Sequence, residues 1–135
     1  MCEEKKLASI NRAPLAMGLL TGKFSADTSF PKDDVRSILH MFKDDVHIFF
    51  DESGPSKALL DKLEAIEEIL KSDGRTLTQG ALAWLWARSE NTIPIPGFKT
   101  VKQVEENAGA LQYGPLTSEQ MKEIDLIQHK EQDKY

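Results

Sequence analysis

The sequence predicts an α/β fold in which helices far outweigh strands, and three observations carry that prediction. Apolar residues recur at helical spacing through residues 57–72, with Leu59, Leu63, Ile66 and Leu70 on one stripe. Thr100 with Gln103, and Thr117 with Gln120, each set a hydroxyl three residues before a carboxamide, the signature of a capped helix start. Only the stretches Leu7–Asn11 and Thr92–Ile95 favour extended chain, and both are brief.

In chain order, the first strand reads from Lys5 to Ile10 and reaches no further than Asn11; its apolar part, Leu7–Ile10, is expected to be mostly buried. Asn11–Pro14 breaks it. Leu15–Lys23 follows as a turn in which Gly18 and Gly22 permit close backbone approach to a ligand. Residues 24–56 carry weak periodicity: Val35, Ile38, Leu39 and Phe42 suggest a short helix, and Val46–Phe50 stays open between a strand and a buried loop. Ser56 is read as the N-cap of a helix that reaches Ser72, where Asp73-Gly74 stops it. Thr78 is read as the cap of the next helix, which runs to Ser89. Its Ala81–Ala87 segment is apolar nearly all round, so it should be buried with Trp84 and Trp86 in the core. The second strand alternates β-branched residues with Pro94 and ends at Pro96-Gly97. A helix over residues 100–111 puts Val101, Val104, Ala108 and Leu111 on one stripe. The last, over 118–128, presents Met121, Ile124 and Ile127, and the polar tail from His129 is expected to fray.

At 135 residues, 40% hydrophobic and 29% charged, the chain has the profile of one soluble globular domain spanning residues 1–135. A net charge of −5 argues against a nucleic-acid partner. The longest strongly apolar run, Ala81–Ala87, is too short to cross a bilayer, so no membrane partner is expected. Cys2 is the sole cysteine and no signal peptide is read at the N-terminus, which together give a cytoplasmic expectation. The acidic pairs Asp33-Asp34, Asp44-Asp45 and Asp51-Glu52 lack calcium-loop spacing, and His40, His47 and His129 lack metal-ligand spacing. No metal is expected, and no serine–histidine–acid grouping can be placed.

The stretch from Gly97 to Asn107 has a chemical use. Free N–H groups at a helix start, with the positive end of its dipole, hold phosphate or carboxylate. Lys99 adds a mobile positive charge there and the Thr100 hydroxyl adds a donor, while Glu106 and Asn107 offer hydrogen bonds to a base or sugar. An ordinary capped helix with a solvated lysine accounts for the same residues.

Ile93-Pro-Ile-Pro-Gly-Phe-Lys-Thr100, followed by Glu106-Asn107, resembles the C-terminal segment with which aldo-keto reductases grip the 2′-phosphate and adenine of NADPH. The resemblance implies that Gly97, Phe98, Lys99 and Thr100 form the phosphate turn and that Glu106 and Asn107 form the adenine-side pair. Gln103 stands where the family often has arginine or another polar residue, which removes one charge. Ala13–Lys23 is similar to the family's loop after the seventh barrel strand, with Ala13 in place of the usual serine. By that likeness Leu15 and Gly18 contact the cofactor pyrophosphate through their backbone. Arg12 takes the position whose flat side chain packs against the nicotinamide, a task that suits a planar guanidinium.

The likeness runs from Glu4 to Ile127 and implies a partial (β/α)8 TIM barrel: two short parallel strands, the last two of a fold of about 250 residues. The family's catalytic aspartate, tyrosine, lysine and histidine lie in earlier strands. No residue here matches them, and Tyr113 and Tyr135 stand in the wrong context. The expectation is an oxidoreductase-derived chain that binds NADP(H) weakly, lacks the general acid, and meets a small carbonyl substrate only when completed. A second reading is an assembly half that works with a missing N-terminal half or as a homo-oligomer, because two strands leave open sheet edges. A third is an unrelated helical interaction module.

Overall fold

Ser9–Arg12 (β1) and Thr92–Ile95 (β2) pair in parallel, Ser9 opposite Thr92 and Arg12 opposite Ile95, in a two-stranded sheet. The computed structural model describes residues 2–38, 41, 49–52 and 54–132. Parallel neighbours need a crossover, and here it carries two helices, α1 (Lys57–Leu70) and α2 (Leu77–Arg88). After β2 come α3 (Val101–Gly109) and α4 (Ser118–Gln132). The expected helix-rich α/β fold with two short parallel strands is therefore what forms.

The first strand starts later than its sequence suggests. Lys6 N–H bonds the Glu3 carbonyl and Leu7 N–H bonds the Cys2 carbonyl, with Lys6 at φ 53°, so these residues turn rather than extend. Burial also differs from expectation: Leu7 and Ile10 are 53% and 66% exposed. The reason lies in the sheet. Ile10, Arg12, Ile93 and Ile95 share one face, all exposed, and no described element covers it. Ser9, Asn11, Thr92 and Pro94 share the other and are half-buried, with α2 packed against β2.

Buried Leu77–Ala83 makes α2 the centre of the packing; of the Ala81–Ala87 segment expected to be buried, Ala81–Ala83 are buried and residues 84–87 are half-buried. Leu63 and Leu70 of α1, Leu77 and Ala83 of α2, Leu116, and Ile124 of α4 form one core. Leu15, Ala81, Leu82 and Ala110 form a second, tying the loop after β1 to α2 and the end of α3. Trp84 packs against the first core and Trp86 against the second, both half-buried. Gly80 is where α1 and α2 meet by backbone: a Cβ there would stand 2.0 Å from the Leu70 carbonyl oxygen.

Thr76, not Thr78, caps α2. Its hydroxyl accepts from Gln79 N–H at 3.2 Å and Gln79 Oε1 accepts from Thr76 N–H at 3.0 Å. Thr78 has alanine three residues on and cannot close such a box, and it lies buried inside the first turn. Ser56 holds the cap position of α1 without a side-chain cap bond. The Thr100–Gln103 and Thr117–Gln120 boxes form as expected. Asp73 and Gly74, at φ 60° and 82°, turn the chain after α1. The Val101–Leu111 stripe is not buried: Val101 and Leu111 are more than 70% exposed, and Val104, Ala108 and Leu111 border a groove of about 580 Å³ with Leu82, Trp86 and Ile93. Beyond His129 the chain is helical to Gln132, and the rest of the tail, 133–135, lies outside the described residues.

The described part of the Val35–Phe42 segment is a single 3-10 turn, Val35–Ser37; Leu39 and Phe42 lie outside the described residues. So do His40, Asp44, Asp45, residues 46–48, which include His47, and Tyr135. Phe50 is fully buried and forms an antiparallel bridge with Pro55.

Candidate functional site

The loop after β1 is wound tightly. Ala13, Ala16 and Met17 take left-handed φ values of 53°, 46° and 52°, a conformation that costs energy for residues with a Cβ. Gly18 follows at φ 98°, where a Cβ would meet Lys23 Cε at 2.8 Å. The glycine thus lets Lys23 lie across the loop, with its ammonium 4.9 Å from the Phe24 ring centre. Gly18 N–H to the Leu15 carbonyl, 2.9 Å, and Thr21 hydroxyl to the Gly18 carbonyl, 2.7 Å, close the turn.

A second wall comes from residues 33–36. The Asp34 carboxylate accepts from Arg36 N–H at 3.0 Å, from its Nε at 2.8 Å, and from its Nη2. The Arg36 guanidinium also lies 4.3 Å from the Phe30 ring centre and 5.1 Å from that of Phe24, so both its edge and its plane are fixed. The bonds from the Arg36 side chain, then its backbone N–H, hold the Asp34 carboxyl at about 2, well below the usual 3.8. The Lys99 charge adds to that lowering.

The third wall is the turn from Gly97 into α3. Lys99 and Thr100 N–H groups both donate to Gln103 Oε1, at 2.7 and 3.3 Å, and Gln103 N–H donates to the Thr100 hydroxyl oxygen at 3.2 Å. The Glu106 carbonyl accepts from Gln79 Nε2 at 3.1 Å, which ties α3 to α2.

These walls enclose an open cleft of about 960 Å³. Leu15 and Gly18 reach it from the loop; Gly97, Phe98, Lys99, Gln103, Glu106 and Asn107 reach it from the turn and α3. Of the ten residues proposed from sequence, eight therefore line one cavity. Arg12 and Thr100 do not line it. Arg12 ends β1 on the exposed sheet face opposite Ile95, and the Thr100 hydroxyl oxygen accepts from Gln103 N–H as the cap of α3. The lining also contains residues that the sequence reading did not assign to the cofactor site, among them Lys23, Asp34, Arg36 and Thr78. Their signal was present in part, since Asp34 two residues before Arg36 suits a turn cap, but nothing in the spacing says that the turn folds back over Met17.

The cleft lining carries three cations, Lys23, Arg36 and Lys99, and three carboxylates, Asp33, Asp34 and Glu106, of which Asp34 is bound to Arg36. Tyr113 does not line it; its hydroxyl bonds the Gly74 carbonyl at 3.2 Å and Arg75 lies 5.4 Å from its ring centre. Among the described residues no acidic, histidine or cysteine cluster could hold a metal, and no helix is long and apolar enough to cross a membrane.

The family model described as "Aldo/keto reductase family" matches residues 1–129. The aldo-keto reductase yakc of Schizosaccharomyces pombe, whose name carries NADP(+), is 34% identical over 123 residues, covering 91% of this chain and 33% of that protein. The chloroplastic pyridoxal reductase of Arabidopsis thaliana is 36% identical over 121 residues, 90% of this chain and 29% of that protein. The L-glyceraldehyde 3-phosphate reductase of Escherichia coli O157:H7 is 31% identical over 112 residues, 83% of this chain and 31% of that protein. The chain thus spans about a third of the length of these curated relatives. With the match running almost from end to end, the chain belongs to the aldo/keto reductase family.

Proposed function

We propose that this chain is the cofactor-holding part of an NADP(H)-dependent carbonyl oxidoreductase and does not turn over substrate by itself. The observation that carries the reading is the convergence of Leu15, Gly18, Lys99, Glu106 and Asn107, which come from two distant motifs, on one cleft of about 960 Å³. That volume lies at the upper end of the range for small-molecule sites, about 300–1,000 Å³.

The residues fit the group. Lys99 supplies charge for a 2′-phosphate at the start of α3, while Glu106 and Asn107 stand along α3 for the adenine side. Arg36, held by Asp34 and the two rings, and Lys23, held across Gly18, face the same space and suit a pyrophosphate. Arg12, on the open sheet face and outside the cleft lining, is assigned to the nicotinamide end by the family resemblance alone. When bound, the cofactor supplies a hydride for a carbonyl carbon. The proton for the carbonyl oxygen needs an acid within hydrogen-bond reach, and the lining holds no tyrosine or histidine among the described residues. The chain's own part is to bind and orient.

Calorimetric titration of the full chain with NADPH and NADH tests this, alongside a carbonyl-reductase assay. Millimolar-range binding, tighter for NADPH, with no turnover is expected. Equal binding of both, or none, removes the reading.

A second reading is favoured by one observation, the open face of Ile10, Ile93 and Ile95. There the chain works as an assembly half, meeting further parallel strands from another polypeptide or from copies of itself.

A further inference from the structure

We infer that Gln79 is a positioning residue for the adenine side of the cleft: its buried carboxamide sets where Glu106 and Asn107 stand. The inference rests on the cofactor reading above and adds to it a residue of α2 outside the cleft.

Gln79 is 8% exposed and does not line the cleft. Its carboxamide joins two elements. Oε1 accepts from Thr76 N–H at 3.0 Å, and Nε2 donates to the Glu106 carbonyl at 3.1 Å. An acceptor bond at one end and a donor bond at the other fix which way the group faces. In an α-helix the Glu106 carbonyl would accept from the N–H four residues on, that of Ala110. The Ala110 N–H donates instead to the Asn107 carbonyl, and the chain continues as the 3-10 turn Ala110–Gln112. Gln79 Nε2 thus stands in for the helical donor.

Little else holds α3. None of Val101–Gly109 is buried, and among the described residues the Gln79 bond is the one hydrogen bond tying them to another element. The packed anchor is Ala110, fully buried with Leu15, Ala81 and Leu82. Gly109 makes room for the tie. Its φ of −59° is ordinarily helical, so the backbone does not require glycine, yet a Cβ there would stand 2.9 Å from Gln79 Nε2. Without the Gln79 donor, the Glu106 carbonyl retakes the Ala110 N–H. Because Ala110 is the anchor, that rewinding turns the Glu106 and Asn107 side chains relative to the cleft they line.

The test compares adenosine 2′-monophosphate with cytidine 2′-monophosphate, the same ribose phosphate on another base, by nuclear magnetic resonance titration of the full chain. The natural chain should prefer the adenosine nucleotide. Gln79→Glu keeps an oxygen for the Thr76 N–H and removes the donor to the Glu106 carbonyl. Gly109→Ala keeps the Gln79 side chain, presses its Nε2 off that carbonyl, and favours helix by propensity. Each should bind the adenosine nucleotide about 3- to 10-fold more weakly, the worth of one neutral hydrogen bond. The cytidine nucleotide should bind unchanged, and the Asn107 and Ala110 amide signals should be displaced before any ligand is added. Thr76→Ala removes the cap hydroxyl but not the tie to α3, so it should lower the melting temperature and keep the base preference.

An unchanged base preference in folded Gln79→Glu or Gly109→Ala, or equal weakening of both nucleotides, overturns the inference and leaves the cofactor reading standing. Loss of the preference in Thr76→Ala does the same, because the effect then belongs to the start of α2. A natural chain that binds the two nucleotides equally also overturns the inference, and one that binds neither overturns both.

Discussion

Asp34 and Lys99 line one cleft from segments far apart in the sequence, and the lysine's charge joins Arg36 in keeping the Asp34 carboxyl ionised. The carboxyl titrates at about 2 when folded and near 3.8 when not, so it binds fewer protons in the folded state between those values. Its contribution to stability is complete above the unfolded value and is lost as pH falls through the folded one. Asp34→Asn should cost at most about 1 kcal/mol, because both partners keep some solvent. The difference should be constant down to about pH 4 and shrink toward pH 2. Urea melts of both proteins at several pH values check this; a gap unchanged at pH 2 contradicts the assignment.

Lys99→Ala should weaken adenosine 2′-monophosphate roughly tenfold, as expected for one charge-assisted contact. The 5′-phosphate should bind almost unchanged. Because Lys99 is exposed, added salt should reproduce much of the loss in the natural chain. Calorimetry at low and high ionic strength measures both effects, and a salt-insensitive affinity would place the phosphate elsewhere.

Gly80→Ala should destabilise the chain by about 1–3 kcal/mol, the usual range for an overpacked contact. The added carbon would overlap the Leu70 carbonyl and force α1 and α2 apart. Gly114→Ala is a useful control, since a Cβ there meets nothing within 4 Å and only its φ of 69° resists the change. Thermal unfolding should rank Gly80→Ala as clearly the worse of the two.

The exposed face of the sheet should show itself in solution. Sedimentation at micromolar concentration is expected to find dimers or larger species, and Ile93→Lys, on the open face at 48% exposure, should shift them toward monomer without loss of helix signal. A sharp monomer in both proteins would remove the assembly reading.

The helices were legible because each carries its own local signal. The Thr100–Gln103 and Thr117–Gln120 boxes and the Leu63–Leu70 stripe depend on residues three to seven apart, and all appear as read. Thr78 misled because Thr76 offers the same hydroxyl with the better partner at Gln79. Burial was misjudged at Leu7 and Ile10 for a different reason: apolar character says that a side chain wants a neighbour, not that the chain supplies one. In the cleft, the two motifs of the loop and the turn were readable as runs of sequence. Lys23 and Arg36 were not assigned to the cofactor site, because their placement depends on Gly18 making room and on Phe24 and Phe30 stacking under a guanidinium. No short window of sequence encodes those contacts.

The pairing of Ser9 with Thr92 also governs the order of folding. Joining two strands so far apart in the chain closes a large loop before any ladder bond forms, and the entropy of that closure comes first. The caps of α2, α3 and α4 are local and can form early, so the sheet is the last element to assemble and the first to open. Pro94 takes one donor out of β2 and makes its hold weaker still. Amide hydrogens of Ile10 and Ile93 should then exchange through brief local opening while those of Leu82 and Ala83 wait for global unfolding.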